Sequence, residues 1–187
     1  MAVNRCPWPG DIDIYIDYHD HEWGKPTYDD ASLFEFLLLE SFQAGLSWIT
    51  ILRKRGNLKK AFNDFDYRKI AKYTSEDQNR LLADSGIIRN KLKIKAAINN
   101  AQKFIEIQKE FGSFSTFFWS YTQGKPLINR FKTMDEVPAR SALSDQISKD
   151  LKKRGFTFVG STIVYAYMQA CGMVNDHLVS CFCHSKT

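Results

Sequence analysis

Four side chains that can bind a metal ion lie near the two ends of the chain. Cys6 and His19 are close to the N-terminus, whereas His177 and Cys181 are close to the C-terminus. The latter two are four residues apart, about one helical turn, so both can face the same ion. Two thiolates and two imidazoles form a closed tetrahedral set for zinc that leaves no position for a catalytic water. Such a set would hold one structural zinc ion that joins the chain ends and contributes to folding, although the spacing of these residues alone is a weak signal for a metal site.

Other roles for these residue types stay open. His21, Cys183 and His184 are possible substitutes as ligands, and a histidine can instead form an ordinary hydrogen bond in the core. Cys171 lies within a predicted helix and is expected in the core. Because no export signal precedes them, the four cysteines are expected to be free thiols or metal ligands rather than disulfides.

Glu40 is a carboxylate at the end of an apolar segment, LFEFLLLE, residues 33–40. If the helix face that contains Leu33, Phe36 and Leu37 is buried, Glu40 lies in or near the same environment. A buried carboxylate needs a partner. One interpretation is a capping or salt-bridged glutamate at a helix end, and the other is that the partner is a bound ligand.

A basic segment and a glycine-flanked turn lie in LKKRGFTFVGSTIVYAYMQACG, residues 151–172. The pattern predicts a helix, a turn between Gly155 and Gly160, and a second helix capped by Ser161 or Thr162. In such a helix-hairpin-helix the backbone approaches a phosphate closely and the first N–H groups of the second helix bind it. The sequence thus predicts that this segment binds the DNA backbone, and the alternative is a simple tight turn between packed helices.

The composition is that of an ordinary globular protein. Of the 187 residues, 44% are hydrophobic and 25% are charged, so residues 1–187 are expected to form a single domain. The 26 Lys and Arg residues against 21 Asp and Glu give a net charge of +5, which suits a polyanionic partner without requiring one. No apolar run long enough for a membrane span or signal peptide is visible, which favours a cytoplasmic location.

Apolar residues recur at steps of three and four through most of the chain, which predicts an all-α fold without a real sheet. Ser32 and Glu35 are predicted to form the capping box of the helix that leads to the apolar segment. After a sharp turn at residues 43–47, a second helix is predicted to begin at Ser47 and end at Gly56. Further helices are predicted at residues 75–85 and 90–110, and a long connection at residues 121–144.

Five segments spread over nearly the whole chain contain specific motifs. They are RCPW at 5–8, YHDHEWGKP at 18–26, LESFQAGLSWITIL at 39–52, KKRGFTFVGSTI at 152–163 and MQACGMVNDH at 168–177. Together they resemble the bacterial 3-methyladenine DNA glycosylase I family, within the helix-hairpin-helix superfamily of DNA glycosylases. The long segment in the middle of this set is the most specific.

The resemblance implies a monofunctional repair enzyme, acting as a monomer at the nucleoid, that flips 3-methyladenine out of alkylated double-stranded DNA and hydrolyses its N-glycosidic bond. It implies that Glu40 is the catalytic residue and recognises the base between aromatic walls formed by Tyr18 and Trp48. It also implies that Leu46 fills the vacated space, although core packing is an alternative for that side chain. The residues that would bind DNA are Leu46, Gly160, Ser161 and Thr162, and the zinc ligands are Cys6, His19, His177 and Cys181.

The sequence departs from the superfamily at the usual catalytic aspartate. Related enzymes place that residue in a segment similar to V-D-T-H, whereas VNDH at 174–177 has Asn175 there, followed by Asp176. The departure predicts an enzyme for bases that are already good leaving groups. Methylation at N3 makes adenine cationic, so its departure needs no proton from the enzyme.

Three alternatives remain at this point. The first is a glycosylase with the same scaffold and another cationic substrate, such as 3-methylguanine. The second is a non-enzymatic helix-hairpin-helix DNA-binding module, in which Glu40 and Trp48 are ordinary packing residues. The third is a hydrolase with a cysteine nucleophile, which has weak support because no cysteine has a clearly placed base.

Overall fold

Almost all regular structure is α-helical in residues 3–184, the part of the chain that this computed structural model describes. The two-residue strands pair in parallel, Leu127 with Val174 and Ile128 with Asn175, and no helix of this part is long and apolar enough to cross a membrane. The helices are α1 (Asp13–His21), α2 (Asp30–Gln43), α3 (Trp48–Ala61), α4 (Tyr67–Ile70), α5 (Ser75–Ala83), α6 (Lys91–Phe111), α7 (Phe114–Ser120), α8 (Ala142–Lys153) and α9 (Ser161–Ala170). The strands are β1 (Leu127–Ile128) and β2 (Val174–Asn175), and 3-10 turns lie at Asn63–Phe65 and Met134–Glu136.

Helix α2 lies at the centre of the core. Nearly every residue from 33 to 42 is buried, as expected for a helix that is apolar on all sides. Its N-cap is Asp29, whose carboxylate accepts a hydrogen bond from the N–H of Ser32 at 2.9 Å. The predicted capping box is wrong, because Glu35 instead accepts from Arg55 of α3 at 2.7 Å. A charge-assisted hydrogen bond between α2 and α3 has replaced the predicted hydrogen bond between Glu35 and the backbone at the start of α2.

The turn after α2 lies where it was predicted, but α3 is longer than predicted. Gly45 has a φ of +77°, and the N–H of Leu46 donates to the carbonyl of Gln43 at 2.7 Å. Helix α3 continues through Gly56 to Ala61. A glycine inside a helix costs about 1 kcal/mol relative to alanine, which the buried face of α3 offsets.

A lysine from α6 holds the end of α2. Lys93 is 5% exposed, and its Nζ donates to the carbonyls of Phe42 and Ala44, each at 2.6 Å. Its positive charge lies at the negative end of the α2 dipole, and burial lowers its pKa. The turn at residues 43–47 is therefore fixed against the start of α6.

Helices α8 and α9 pack against each other and are joined by a turn at residues 154–160. Gly155 has a φ of +89° and Phe158 a φ of +54°. Asn100 of α6 donates to the carbonyl of Thr157 and accepts from its N–H, both at 2.9 Å. The turn is thus held rigidly against α6, which prepares the start of α9 for a fixed contact.

Replacement of Gly172 by alanine is expected to destabilise the protein by about 3 kcal/mol or more. Gly172 follows α9 with a φ of +67°, and an added Cβ would overlap the backbone of Lys25 and Pro26. Chemical denaturation measures the loss. The matched control is Gly112→Ala, because Gly112 has a φ of +85° but nothing within 4 Å of its Cβ position. Equal losses in the two variants would contradict the close contact.

Candidate active site and metal-binding cluster

A cavity of about 240 Å³ lies beside the second half of α2. It brings together the three residues predicted to bind the substrate, because Tyr18 of α1, Glu40 of α2 and Trp48 of α3 all line it. The ring centroids of Tyr18 and Trp48 are 5.3 Å apart, and the ring planes are tilted by 53°. The two rings form an angled aromatic wall, and the cavity has the size for one flat ring system.

Glu40 is buried in this cavity without a protein partner. Glu40 is 4% exposed, and no described residue donates a hydrogen bond to its carboxylate. Burial raises its pKa to about 8. The interpretation as a capping or salt-bridged glutamate is therefore wrong. Unpaired buried carboxylates are costly and occur at functional sites.

The sequence interpretation missed seven other residues that line the cavity. Three of these, which come from the N-terminal part of the chain, have only their aromatic character as a signal, and the remaining four depend on tertiary contacts. The buried indole N–H groups of Trp8 and of Trp48 have no hydrogen-bond partner in the described part of the chain. The cavity is thus lined by groups that can donate as well as accept. The missed residues are Trp8, Tyr15, Trp23, Gln43, Met134, Ala166 and Gln169.

The turn at residues 43–47 lies at the edge of the cavity. Gln43 lines the cavity, and its Nε2 donates to the carbonyl of Leu46 at 2.8 Å. The Leu46 side chain is exposed at 37%, so core packing does not explain it. An apolar side chain held in solvent beside an aromatic cavity is available for contact with a ligand that enters the cavity.

The first turn of α9 has unsatisfied N–H groups. Gly160 is the N-cap, and no side chain of residues 3–184 accepts a hydrogen bond from the start of the helix. The prediction that Ser161 or Thr162 caps α9 is wrong, because the Ser161 hydroxyl is instead hydrogen-bonded to that of Ser144 of α8 at 2.8 Å. Free N–H groups at the positive end of a helix dipole form an anion-binding site.

A buried cluster of histidines and cysteines lies near the N-terminal segment. Three of its four members were predicted as ligands, and the fourth is Cys183, which the sequence offered as a possible substitute. Cys6, the other predicted ligand, lies beside this cluster. The Sγ of Cys6 accepts from the N–H of Leu178 at 3.4 Å, and its thiol neighbours that of Cys181, with a pKa that burial raises to about 12. The atoms that could bind a metal lie within 4.8 Å of one another in His19, His177, Cys181 and Cys183.

The two imidazoles of this cluster are oriented for a metal ion. The Nδ1–H of His177 donates to Asn175 Oδ1 at 2.9 Å, and its buried Nε2 has no partner among the described residues. The Nδ1–H of His19 donates to Asp20 at 2.7 Å, and its Nε2 lies 3.5 Å from the Sγ of Cys181. Burial lowers the pKa of His177 to about 4. Neutral imidazoles whose Nε2 atoms lie beside thiols fit a metal ion such as zinc.

Comparison with known proteins decides the family. A family model described as methyladenine glycosylase matches residues 8–184. The chain belongs to this family.

Relatives and a solved structure agree with this assignment. A DNA-3-methyladenine glycosylase from Haemophilus influenzae is 48% identical over 184 residues, which cover 98% of this chain and all of the relative. DNA-3-methyladenine glycosylase 1 from Escherichia coli is 47% identical and covers 97% of each chain. The 3-methyladenine DNA glycosylase I of Staphylococcus aureus, solved to explain 3-methyladenine recognition, has a TM-score of 0.95 at 39% identity and full coverage of both chains. The resemblance seen in the five motifs is confirmed, and the chain is a DNA glycosylase.

In this glycosylase, Asn175 and Asp176, which lie near the usual position of the catalytic aspartate, do not line the cavity. Asn175 orients His177, as described above, and Asp176 is fully buried. Neither lines the cavity, so Glu40 is the one carboxylate among the described lining residues. All four cysteines are buried and the pKa of Cys171 is raised by burial, which gives no support to a cysteine nucleophile.

Proposed function

We propose that this enzyme releases 3-methyladenine from alkylated double-stranded DNA by hydrolysing the N-glycosidic bond of the flipped nucleotide, and that residues 1–187 act as one domain. The observation that carries the proposal is the unpartnered carboxylate of Glu40 in an aromatic cavity. The relatives are named as glycosylases for the same base. A non-enzymatic module would have no reason to keep such a carboxylate buried.

Selectivity comes from the charge of the damaged base. A cation over the electron-rich faces of Tyr18 and Trp48 gains up to about 2 kcal/mol in a desolvated site. The ionised form of Glu40 adds a charge-assisted contact. Neutral adenine lacks both gains, and it also pairs and stacks better in the duplex, so its extrusion costs more.

The bond breaks without a proton donor. The electron pair of the bond between C1′ and the purine nitrogen moves to the cationic base, which leaves as neutral 3-methyladenine. The oxygen of a water molecule bonds to C1′ and loses its proton to solvent. Glu40 binds the base in the orientation that exposes C1′, and a cavity with no second carboxylate is consistent with this chemistry.

The duplex is held by two surfaces beside the cavity. Gly160, Ser161 and Thr162 present the free N–H groups of α9 to a phosphate, and Leu46 fills the space that the base leaves. Arg154 forms an ion pair with Glu110 at 2.6 Å, which competes with a contact between this side chain and a phosphate. Among the basic residues that precede the turn, the exposed pair at 152–153 remains for the DNA backbone.

The histidine and cysteine cluster holds one structural zinc ion per chain. His19, His177 and Cys181 supply three ligands, and Cys6 or Cys183 supplies the fourth. When bound, the ion is closed to substrate and links α1 to the C-terminal segment. Single Cys→Ser variants at the two positions, with Co²⁺ absorption as the readout, distinguish the two candidates for the fourth ligand.

The pH dependence of excision tests the role of Glu40. Because burial raises its pKa to about 8, the carboxyl is mostly protonated in the free enzyme at pH 6, and its ionised fraction rises nearly tenfold per pH unit below the pKa. Since kcat/KM reports the free enzyme, it is expected to rise from pH 6 and level off above about pH 8. The control is Glu40→Gln, whose residual activity should lack this rise. A flat wild-type profile would exclude the ionised carboxylate as the binding form.

A further inference from the structure

A buried carboxylate lies directly behind the wall of the cavity. Asp176 is 0% exposed and accepts three hydrogen bonds, from Asn129 Nδ2 at 2.6 Å, Tyr165 Oη at 2.7 Å and Gln169 Nε2 at 2.8 Å. All three donors are neutral side chains. Burial, together with the hydrogen bond to Asp176, raises the pKa of Tyr165. Three donors satisfy the carboxylate without a cation.

This arrangement fixes the orientation of the Gln169 carboxamide. A carboxylate only accepts hydrogen bonds, so the amide nitrogen of Gln169 must face Asp176 and its Oε1 must point elsewhere. Gln169 belongs to α9 and lines the same cavity as Glu40. Its backbone carbonyl also accepts from the N–H of Gly24 at 3.0 Å, which ties this part of α9 to the segment after α1.

An oriented amide supplies a selectivity that charge cannot. 3-Methyladenine and 3-methylguanine are both cationic, so Glu40 and the aromatic rings attract both. At C6 they differ, because adenine has an amine with N–H donors and guanine has a carbonyl oxygen. A freely rotating glutamine would suit either group, whereas one locked with its oxygen toward the base accepts from the amine and repels the carbonyl.

We propose that Gln169 Oε1 accepts a hydrogen bond from the exocyclic amine of the flipped base, and that Asp176 is the positioning residue that keeps this oxygen turned toward the cavity. The inference rests on the proposed function and adds to it a basis for choosing adenine over guanine. Gln169 contacts the substrate directly, and Asp176 acts through Gln169.

The test compares excision of 3-methyladenine and 3-methylguanine from oligonucleotide duplexes as kcat/KM. Gln169→Met removes the acceptor and keeps the length of the side chain, so excision of 3-methyladenine is expected to fall about tenfold while that of 3-methylguanine does not fall. Asp176→Asn allows the Gln169 amide to turn over and is expected to narrow the same preference. The matched control is Gln102→Met. Gln102 does not line the cavity, and its amide donates to the carbonyl of Ala71, so this variant should leave both excision rates unchanged.

Each outcome decides the inference. If Gln169→Met keeps the wild-type preference for 3-methyladenine over 3-methylguanine, the inference is overturned. An equal loss of kcat/KM for both lesions also overturns it, because it would indicate that Gln169 has a structural role alone. Tyr165→Phe removes one donor but leaves Gln169 locked, so it should keep the wild-type preference, and a loss of preference in this variant would count against the lock. If Asp176→Asn does not fold by circular dichroism, Gln169→Met decides alone. Wild-type protein that releases no 3-methyladenine would instead overturn the proposed function.

Discussion

Replacement of Glu40 by glutamine is expected to lower the excision of 3-methyladenine by at least about a hundredfold. Glutamine keeps the shape of the side chain but removes the negative charge, and charge in a site that excludes water contributes far more than charge in solvent. Single-turnover kinetics on methylated duplexes measures the effect. Glu106→Gln is the matched control, because Glu106 is exposed and its ion pair in the described structure is with Lys103 on the surface of α6, and its rate should equal that of the wild type.

The same Glu40 variant is expected to gain stability at alkaline pH. The pKa of Glu40 is about 8 in the folded protein and 4.5 is its ordinary value, so the unfolded state loses its proton first as pH rises. The folded state is therefore favoured fully below pH 4.5, and this contribution is lost between pH 4.5 and about pH 8. Glu40→Gln lacks this loss, so its Tm relative to wild type should rise from pH 5 to pH 8. If Glu40→Gln had a lower Tm than the wild type at pH 8, or excised 3-methyladenine at a rate within tenfold of the wild type, the role of Glu40 would be contradicted.

Removal of zinc is expected to lower the Tm by about 10 °C or more. The cluster brings His19 of α1 against three residues of the C-terminal segment, and without the ion its thiols and imidazoles are buried polar groups with poor partners. Elemental analysis is expected to show one zinc per chain, and calorimetry before and after chelation measures the shift.

Substitution of single histidines separates the metal from general effects. His177→Ala should lose zinc and most of the associated stability, because its Nε2 has no other partner in the described structure. His21→Ala is the matched control, since the side chain of His21 is 68% exposed and its ion pair in the described structure is with Asp17 on the same helix. Folded, metal-free protein with an unchanged Tm would contradict the zinc proposal.

The helical framework could be predicted because its patterns are local. The apolar period placed α2, α5 and α6 close to their observed bounds. The errors arose where a distant residue competed with a local hydrogen-bond partner. Glu35 accepts from Arg55 instead of completing a capping box, and the Ser161 hydroxyl is bonded to Ser144 instead of capping α9. Such competition depends on which helices pack together, and the local pattern does not contain that information.

The site could be predicted in part, because some of its residues belong to local patterns and others meet only in the folded chain. Glu40 was a candidate because it is a carboxylate at the end of an apolar helix, and the family resemblance gave it its role. Trp8 and Gln169 come from opposite ends of the chain and meet only through tertiary packing, so their position on the wall was not visible. The choice between Cys6 and Cys183 also depends on the path of the terminal segments, which have no periodic pattern.

Analysis of the bases that the purified protein releases from methylated double-stranded DNA tests the central claim most directly. Chromatography of the supernatant is expected to show free 3-methyladenine with the wild-type protein, no adenine, and almost no 3-methyladenine with Glu40→Gln. DNA binding without release of any base, or release of 3-methyladenine at the wild-type rate by Glu40→Gln, would contradict this account of the enzyme.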